Sequence, residues 1–310
     1  MTCPPRILVL PPRLTASART LRATALRRGL RIVQATASAV PEGLGSPGWA
    51  GWPEGAKWPE GAGPGGSPGD TRDARGAQDT RGTQDTRGTG SAESTGCTGS
   101  DGHAVHLHAG PSFGDVVAPA LGIALLEAPA DWLARLPRAL TQRDVRAMAI
   151  GEAYRLRRPA FVKSPNDKSI SALVYADGSR LPGPDAVDPA TVVLVSDVMT
   201  FAVEYRLHLL DGAVHAAGQY AEAGRLRLGP PDGDALAFGR DVLAAAGETL
   251  PSAIVVDVGR DDEGRWAVIE ANAAWASGCY SADPDRALET VLRAAGPATA
   301  LAPHDRAFVR

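Results

Sequence analysis

Three side chains with hard oxygen atoms stand close together in the stretch 254–275: Asp257, Glu270 and Asn272. Two apolar runs, 254–258 and 266–271, flank a polar Asp261-Asp262-Glu263-Gly264 segment. β-Branched residues in the arms and glycine in the connection predict strand, turn and strand. Pairing Gly259 with Trp266 leaves six residues between them and sets Asp257, Glu270 and Asn272 on one face. Ile254, Val256, Val258, Ala267, Ile269 and Ala271 take the other face, which is apolar throughout. Carboxylates held this close repel unless a proton or a cation sits between them. Magnesium suits such ligands, because it binds through one or two carboxylates and completes its shell with substrate phosphates. An acid or two on a solvated hairpin is the plainer alternative, and the rest of the chain weighs against it.

The strands that must position these groups begin at Pro159. Segments 160–163 (AFVK) and 171–175 (SALVY) bracket a polar loop at 164–169, and 192–195 is a buried-type strand ending at Ser196-Asp197. Segments 201–210 and 213–220 flank Asp211-Gly212, a type I′ hairpin signal. Alternation then puts Val203, Tyr205, Leu207 and Leu209 on one face and Glu204, Arg206 and His208 on the other, with His208 opposite His215 and Glu204 opposite Gln219. A helix over 234–248 leads through Pro251 into the central hairpin. A last helix takes Asp283 as N-cap and Pro284 as first residue, with Gly296 beyond its end. Lys163 and Arg206 facing a carboxylate–carboxamide cluster is what a nucleoside triphosphate with magnesium requires. Taken singly, Lys163 could be a strand-edge gatekeeper and Glu204 with Arg206 a surface ion pair.

Before Pro159 the chain reads differently. Segment 6–10 (RILVL) is a short strand, and Thr15 or Ser17 caps a helix whose stripe is Ala18, Leu21, Ala25 and Leu26. Gly29 stops it, and 31–35 is a second strand, so the unit is βαβ with parallel strands. Pro11-Pro12-Arg13 follows the first strand in place of a glycine-rich fingerprint, so a classical dinucleotide fold is not supported. Over 41–102 the composition turns to Gly, Pro, Ser and Thr, with WPEGA twice and Asp-Thr-Arg-Gly at 79–82 and 85–88. Such a segment buries too little apolar surface to order itself and is expected to be a disordered insert. His106 and His108 in HAVHLH share one strand face; without an acid or cysteine beside them they fit a strand returning to the sheet better than a ligand pair. Segment 131–136 is a short amphipathic turn. A helix is expected over 141–156, with Thr141 and Asp144 as its capping box.

The 310 residues, 44% hydrophobic, suffice for a sizeable core in two lobes, and a net charge of −3 gives no reason to expect nucleic acid as partner. Three scattered cysteines (Cys3, Cys97, Cys279) make neither a disulfide framework nor a zinc pattern. Four apolar residues at 7–10 are too few for a signal or spanning segment, so the expected location is the cytoplasm, with no membrane partner.

Five segments in order, FVK at 161–163, VLVSDVM at 193–199, EYR at 204–206, VVDV at 255–258 and IEAN at 269–272, resemble the ATP-grasp superfamily, and within it compact bacterial members. The likeness spans about 141–295, and the earlier βαβ unit is similar to the lobe that precedes the grasp. That resemblance implies ATP and magnesium as cofactors. Lys163 would contact the α and β phosphates. The strand with Val195, Ser196, Asp197 and Val198 would read the adenine edge, with Glu204 beside the nucleotide and Arg206 near the transferring phosphate. Asp257, Glu270 and Asn272 would hold two magnesium ions, Glu270 bridging them. Loop 164–169 lacks the glycine of the usual phosphate lid, so Lys168 would supply charge there.

The expected fold is therefore α/β of ATP-grasp type: a pre-ATP-grasp lobe over 1–130 containing the insert, an ATP-grasp domain over 131–300 and a tail over 301–310. The expected activity is an ADP-forming ligase. It would activate a small-molecule or peptide carboxylate as an acyl phosphate for attack by an amine or thiol. The alternatives are phosphoryl transfer to a hydroxyl and a non-catalytic nucleotide-binding regulatory module.

Overall fold

The computed structural model describes residues 6–36, 103–166 and 169–310. The expected insert at 41–102, Cys3, Cys97 and Lys168 lie outside these residues.

The first lobe is a parallel sheet in the order β2-β1-β3, from β1 (Arg6–Leu10), β2 (Arg31–Gln34) and β3 (Ala104–Leu107). Helix α1 (Ala16–Arg27) is the crossover, and Thr15 caps it, its hydroxyl accepting from the Ala18 N–H at 3.1 Å. Because side chains alternate, β1 buries both faces. Leu8 and Leu10 meet Leu21, Ala25 and, from the far end of the chain, Leu288 and Val291. Ile7 and Val9 meet Val117, Leu125 and Trp275. Helix α2 (Pro111–Ala120) and β4 (Ile123–Leu125) complete the lobe, and short helices α3 (Trp132–Arg135) and α4 (Arg138–Thr141) lead out of it.

The next elements correct one expectation. No helix spans 141–156; the chain forms β5 (Val145–Ala149) followed by a single turn, α5 (Ile150–Ala153). Gln142 in the left-handed region (φ 54°) stops α4, and from there Val145 pairs with Ser196 and Ala149 with Val192. Along β5 the side chains divide by alternation, Val145 and Ala147 toward one core and Met148 toward another. Ladder hydrogen bonds to a neighbouring strand outweigh a weak local helix preference. With β6 (Ala160–Lys163), β7 (Leu173–Tyr175) and β8 (Val192–Ser196), β5 forms a sheet in the order β5-β8-β6-β7.

The second sheet, β11-β10-β9-β12-β13, uses β9 (Val203–Leu210), β10 (Ala213–Glu222), β11 (Arg225–Gly229), β12 (Ala253–Arg260) and β13 (Trp266–Asn272). Asp211 and Gly212 both take positive φ (47° and 77°), as a type I′ turn demands. Tyr205, Leu207, Leu209, Val256, Val258 and Val268 form one face and pack against α6 (Gly233–Ala246) and Trp132. The opposite face carries Arg206, His208 and Asp257 beside apolar Ala253 and Val255 and lies under α7 (Pro284–Ala294), whose N-cap Asp283 accepts from the Arg286 N–H at 2.9 Å. The chain then returns to the first lobe. Strand β14 (Ala295–Pro297) pairs with β4, and Arg310 bonds Asp115 and Glu127. Among the described residues no helix is long and apolar enough to cross a membrane.

Candidate functional site

The central hairpin reaches its polar face by a different register from the expected one. Arg260 pairs with Trp266, so the connection has five residues, and an odd connection by itself would put Glu270 on the face opposite Asp257. A β-bulge corrects this: Val258 pairs with Val268, Ile269 is left over, and Asp257 stands directly opposite Glu270. Asp257, Glu270 and Asn272 therefore share a face as expected. Val268, rather than Ala267 and Ile269, joins the apolar core on the other side. The neighbouring hairpin has bulges too, so His208 pairs with Ala216 instead of His215, and Glu204 with Ala221 instead of Gln219.

On this face the charged groups form one connected line across two sheets. Arg206 of β9 lies opposite Asp257 of β12 and donates to both its carboxylate oxygens, from Nε at 2.8 Å and Nη2 at 2.7 Å. Asn272 Nδ2 donates to Asp257 Oδ2 at 3.2 Å and to Glu270 Oε1 at 2.6 Å. Lys163, from the other sheet, completes the line with a hydrogen-bonded ion pair to Glu270. Burial pushes the Glu270 carboxyl up, but Lys163 and Asn272 outweigh it and hold the group below its ordinary range. Burial pushes the Asp257 carboxyl above its ordinary range, and Arg206 pulls it only part of the way back. Glu204 is raised, chiefly by burial, and accepts from the Tyr220 hydroxyl at 2.5 Å.

Two carboxylates and a carboxamide fit a hard dication that keeps further positions for phosphate oxygens. Among the described residues no group of three or more His, Cys, Asp or Glu gathers into a closed metal cage. Magnesium here would rest on Asp257, Glu270 and Asn272 together with the nucleotide. Lys163, Glu270 and Asn272 also line a cavity of about 430 Å³ that runs to Pro111 at the start of α2 and to Ser277.

The other expected residues sit apart from this line. Val195, Ser196 and Asp197 line a separate cavity of about 460 Å³ with Arg143, Arg146 and Arg158, and neither Lys163 nor Glu270 borders it. Asp197 exchanges bonds with Asp144, its N–H donating to the Asp144 carbonyl at 3.2 Å and its carboxylate accepting from the Asp144 N–H at 3.3 Å. Val198 is exposed. His106 Nδ1 lies 2.7 Å from the Leu292 carbonyl and so fastens β3 to the end of α7, and His108 is buried.

Three contributors escaped the sequence reading. Arg143 Nη1 donates to the Val268 carbonyl at 2.9 Å and Nη2 to Ile269 at 3.2 Å, tying the bulge to the first sheet. Tyr220 is the extra residue of a bulge in β10 and turns toward Glu204. Tyr280, in the loop after β13, lies over Arg206 at 4.8 Å from ring centroid to Cζ. Each depends on pairing or chain return that no local spacing encodes.

A family model of the ATP-grasp domain, the second family of its clade, matches residues 140–290. No curated protein matches the chain. Among solved structures, D-cycloserine synthetase DcsG is 14% identical with TM-score 0.47, over 92% of this chain and 98% of that one. The ATP-grasp ligase PsnB, complexed with precursor peptide PsnA2 and AMPPNP, is 12% identical with TM-score 0.46, over 95% and 98%. These likenesses are too distant to add weight; the assignment rests on the sequence match and on the motifs it contains. Residues 140–290 are an ATP-grasp domain.

Proposed function

We propose that the chain is an ADP-forming ligase that activates a substrate carboxylate as an acyl phosphate for attack by an amine or thiol. An ATP-grasp domain binds ATP with magnesium, which when bound neutralises charge at the transferring phosphoryl group. A carboxylate oxygen of the substrate attacks the γ-phosphorus, the bond to the β-phosphate oxygen breaks, and ADP leaves. The amine or thiol then attacks the acyl carbon, loses its proton and expels inorganic phosphate. No protein nucleophile is needed.

The observation that carries this reading is the Lys163–Glu270 pair joining the two sheets, with Asn272 and Asp257 next in line. Lys163 exchanges Glu270 for the α and β phosphate oxygens, and Glu270 is thereby released to the metal. Asp257 and Asn272 supply the remaining protein oxygens, and Arg206 holds Asp257 oriented. Val195 to Val198 and Glu204 are assigned to the adenine and ribose side, and Lys168 to charge over the phosphates. The cavity beside Lys163, Glu270 and Asn272, walled by Pro111 of the first lobe, suits the acceptor carboxylate, a small molecule or the end of a peptide. The division at about residue 130 would then separate an acceptor lobe from the nucleotide domain.

Incubating the purified protein with Mg-ATP and a cell extract tests the reading by its products. ADP with a new amide or thioester is expected. ADP with a phosphoester would make the enzyme a phosphotransferase, and tight ATP binding without ADP would make it a regulatory module.

A further inference from the structure

Arg206 is held on every side. Beyond its two bonds to Asp257, Nη1 donates to the Gly278 carbonyl at 3.2 Å. Its Cζ lies 5.6 Å from the Tyr220 ring and 4.8 Å from the Tyr280 ring, and the two rings stack at 5.2 Å and 19°. Tyr220 is anchored through its hydroxyl to Glu204, whereas among the described residues no side-chain hydrogen bond holds Tyr280. The residue is 38% exposed, so it is not a core position.

Tyr280 also adopts φ 46°, a left-handed conformation that a bulky residue takes only when its surroundings impose it. The surroundings are visible. The turn closes with the Ala282 N–H donating to the Cys279 carbonyl at 3.0 Å. On one side Gly278 presses against α1, where a Cβ would come within 2.7 Å of Ser17 Oγ. On the other side Ser281 Oγ lies 2.7 Å from the Gln219 carbonyl and 2.8 Å from the Gly229 carbonyl, its one proton shared between them, and a Cβ on Gly218 would lie 2.3 Å from that same oxygen. With both ends of the turn pinned, residue 280 absorbs the backbone strain. Glycine would fill the position without strain, yet it holds tyrosine.

We infer that Tyr280 is a positioning residue of the ligase site, its ring clamping the Arg206 guanidinium on Asp257 so that the metal-binding carboxylate stays aimed. The inference rests on the proposed function. It gives the strain a use: the ring supplies a cation–π contact to an arginine already withdrawn from water, where such a contact is strongest.

Three full-length proteins test it: parent, Tyr280→Phe and Tyr280→Gly. Melting temperature is measured without nucleotide, and ATP affinity by calorimetry with and without magnesium. Tyr280→Phe keeps the ring and should match the parent in every measurement. Tyr280→Gly relieves the left-handed strain and gives up the ring contact, so it should melt close to the parent. Its Mg-ATP affinity should fall by about tenfold, the scale of one desolvated cation–π contact, with little change in magnesium-free affinity. Parental Mg-ATP affinity in Tyr280→Gly overturns the inference and leaves the ligase reading intact. So does a joint fall of melting temperature and magnesium-free affinity, which marks a packing residue. A parent that binds no Mg-ATP overturns both.

Discussion

Arg206 and Asp257 face one another on adjacent strands, and the guanidinium fork holds both carboxylate oxygens, at 2.8 and 2.7 Å, in a nearly water-free position. Geometry of this kind makes the pair costly to break from one side. Arg206→Met leaves Asp257 buried without its cation and should lower stability by about 3–5 kcal/mol. Arg206→Lys keeps the charge but loses the fork, so it should recover only part of that loss. Urea unfolding of the three proteins without nucleotide checks the order parent, lysine, methionine.

Lys163 is the cation that crosses between the sheets. Lys163→Met should weaken ATP binding by about 2 kcal/mol, roughly thirtyfold, the worth of one charge-assisted hydrogen bond. Calorimetry with magnesium present decides it. Unchanged affinity would remove Lys163 from the nucleotide site.

Glu270 answers Lys163 in the free protein and is assigned to the metal in the loaded one, so its two roles separate by condition. Glu270→Gln keeps the shape and should lower nucleotide-free stability by about 1–2 kcal/mol, because Lys163 loses its counter-charge. ADP formation should fall by at least roughly a hundredfold, an electrostatic loss of about 2.7 kcal/mol, with ATP affinity within about tenfold. Thermal melts, ATP calorimetry and an ADP assay on the same preparation test both halves. An intact ADP rate would leave Glu270 a structural partner of Lys163 and nothing more.

Two buried histidines make the fold sensitive to acid. Burial pushes His208 down to about 3 and His108 down to about 4. Both stay neutral in the folded chain while the unfolded chain takes up protons below about pH 6.5, so stability falls as pH falls through that value toward the folded pKa. Each histidine should cost about 1.4 kcal/mol per pH unit over that window. His208 has no hydrogen-bond partner for either ring nitrogen among the described residues, which makes it the cleaner probe. Urea midpoints at neutral pH and at pH about 5 should show a steeper loss in the parent than in His208→Leu. Equal slopes would mean that His208 titrates normally.

Alternation is a local property, and along β9 it was legible. Glu204, Arg206 and His208 could be set opposite Tyr205, Leu207 and Leu209 because side-chain period two depends on nothing beyond the strand itself. The same holds for Asp211-Gly212, whose positive φ values follow from residue type, and for the caps at Thr15 and Asp283. The acids and the carboxamide of the site were visible for this reason, as was the order of motifs in which they stand.

Tertiary structure decided what depends on a partner. Segment 145–149 can be helix or strand by its own residues, and it is a strand because β8 offers it a ladder. The hairpin register was set by a five-residue connection and then reset by the bulge at Ile269, two shifts that the apolar pattern alone tolerates. Lys163 meets Glu270 across 107 positions of sequence, and Tyr280 reaches Arg206 only because two glycines and Ser281 pin its turn. Local sequence specifies which face a side chain takes; contact between faces costs chain-closure entropy and is fixed only when the whole core packs.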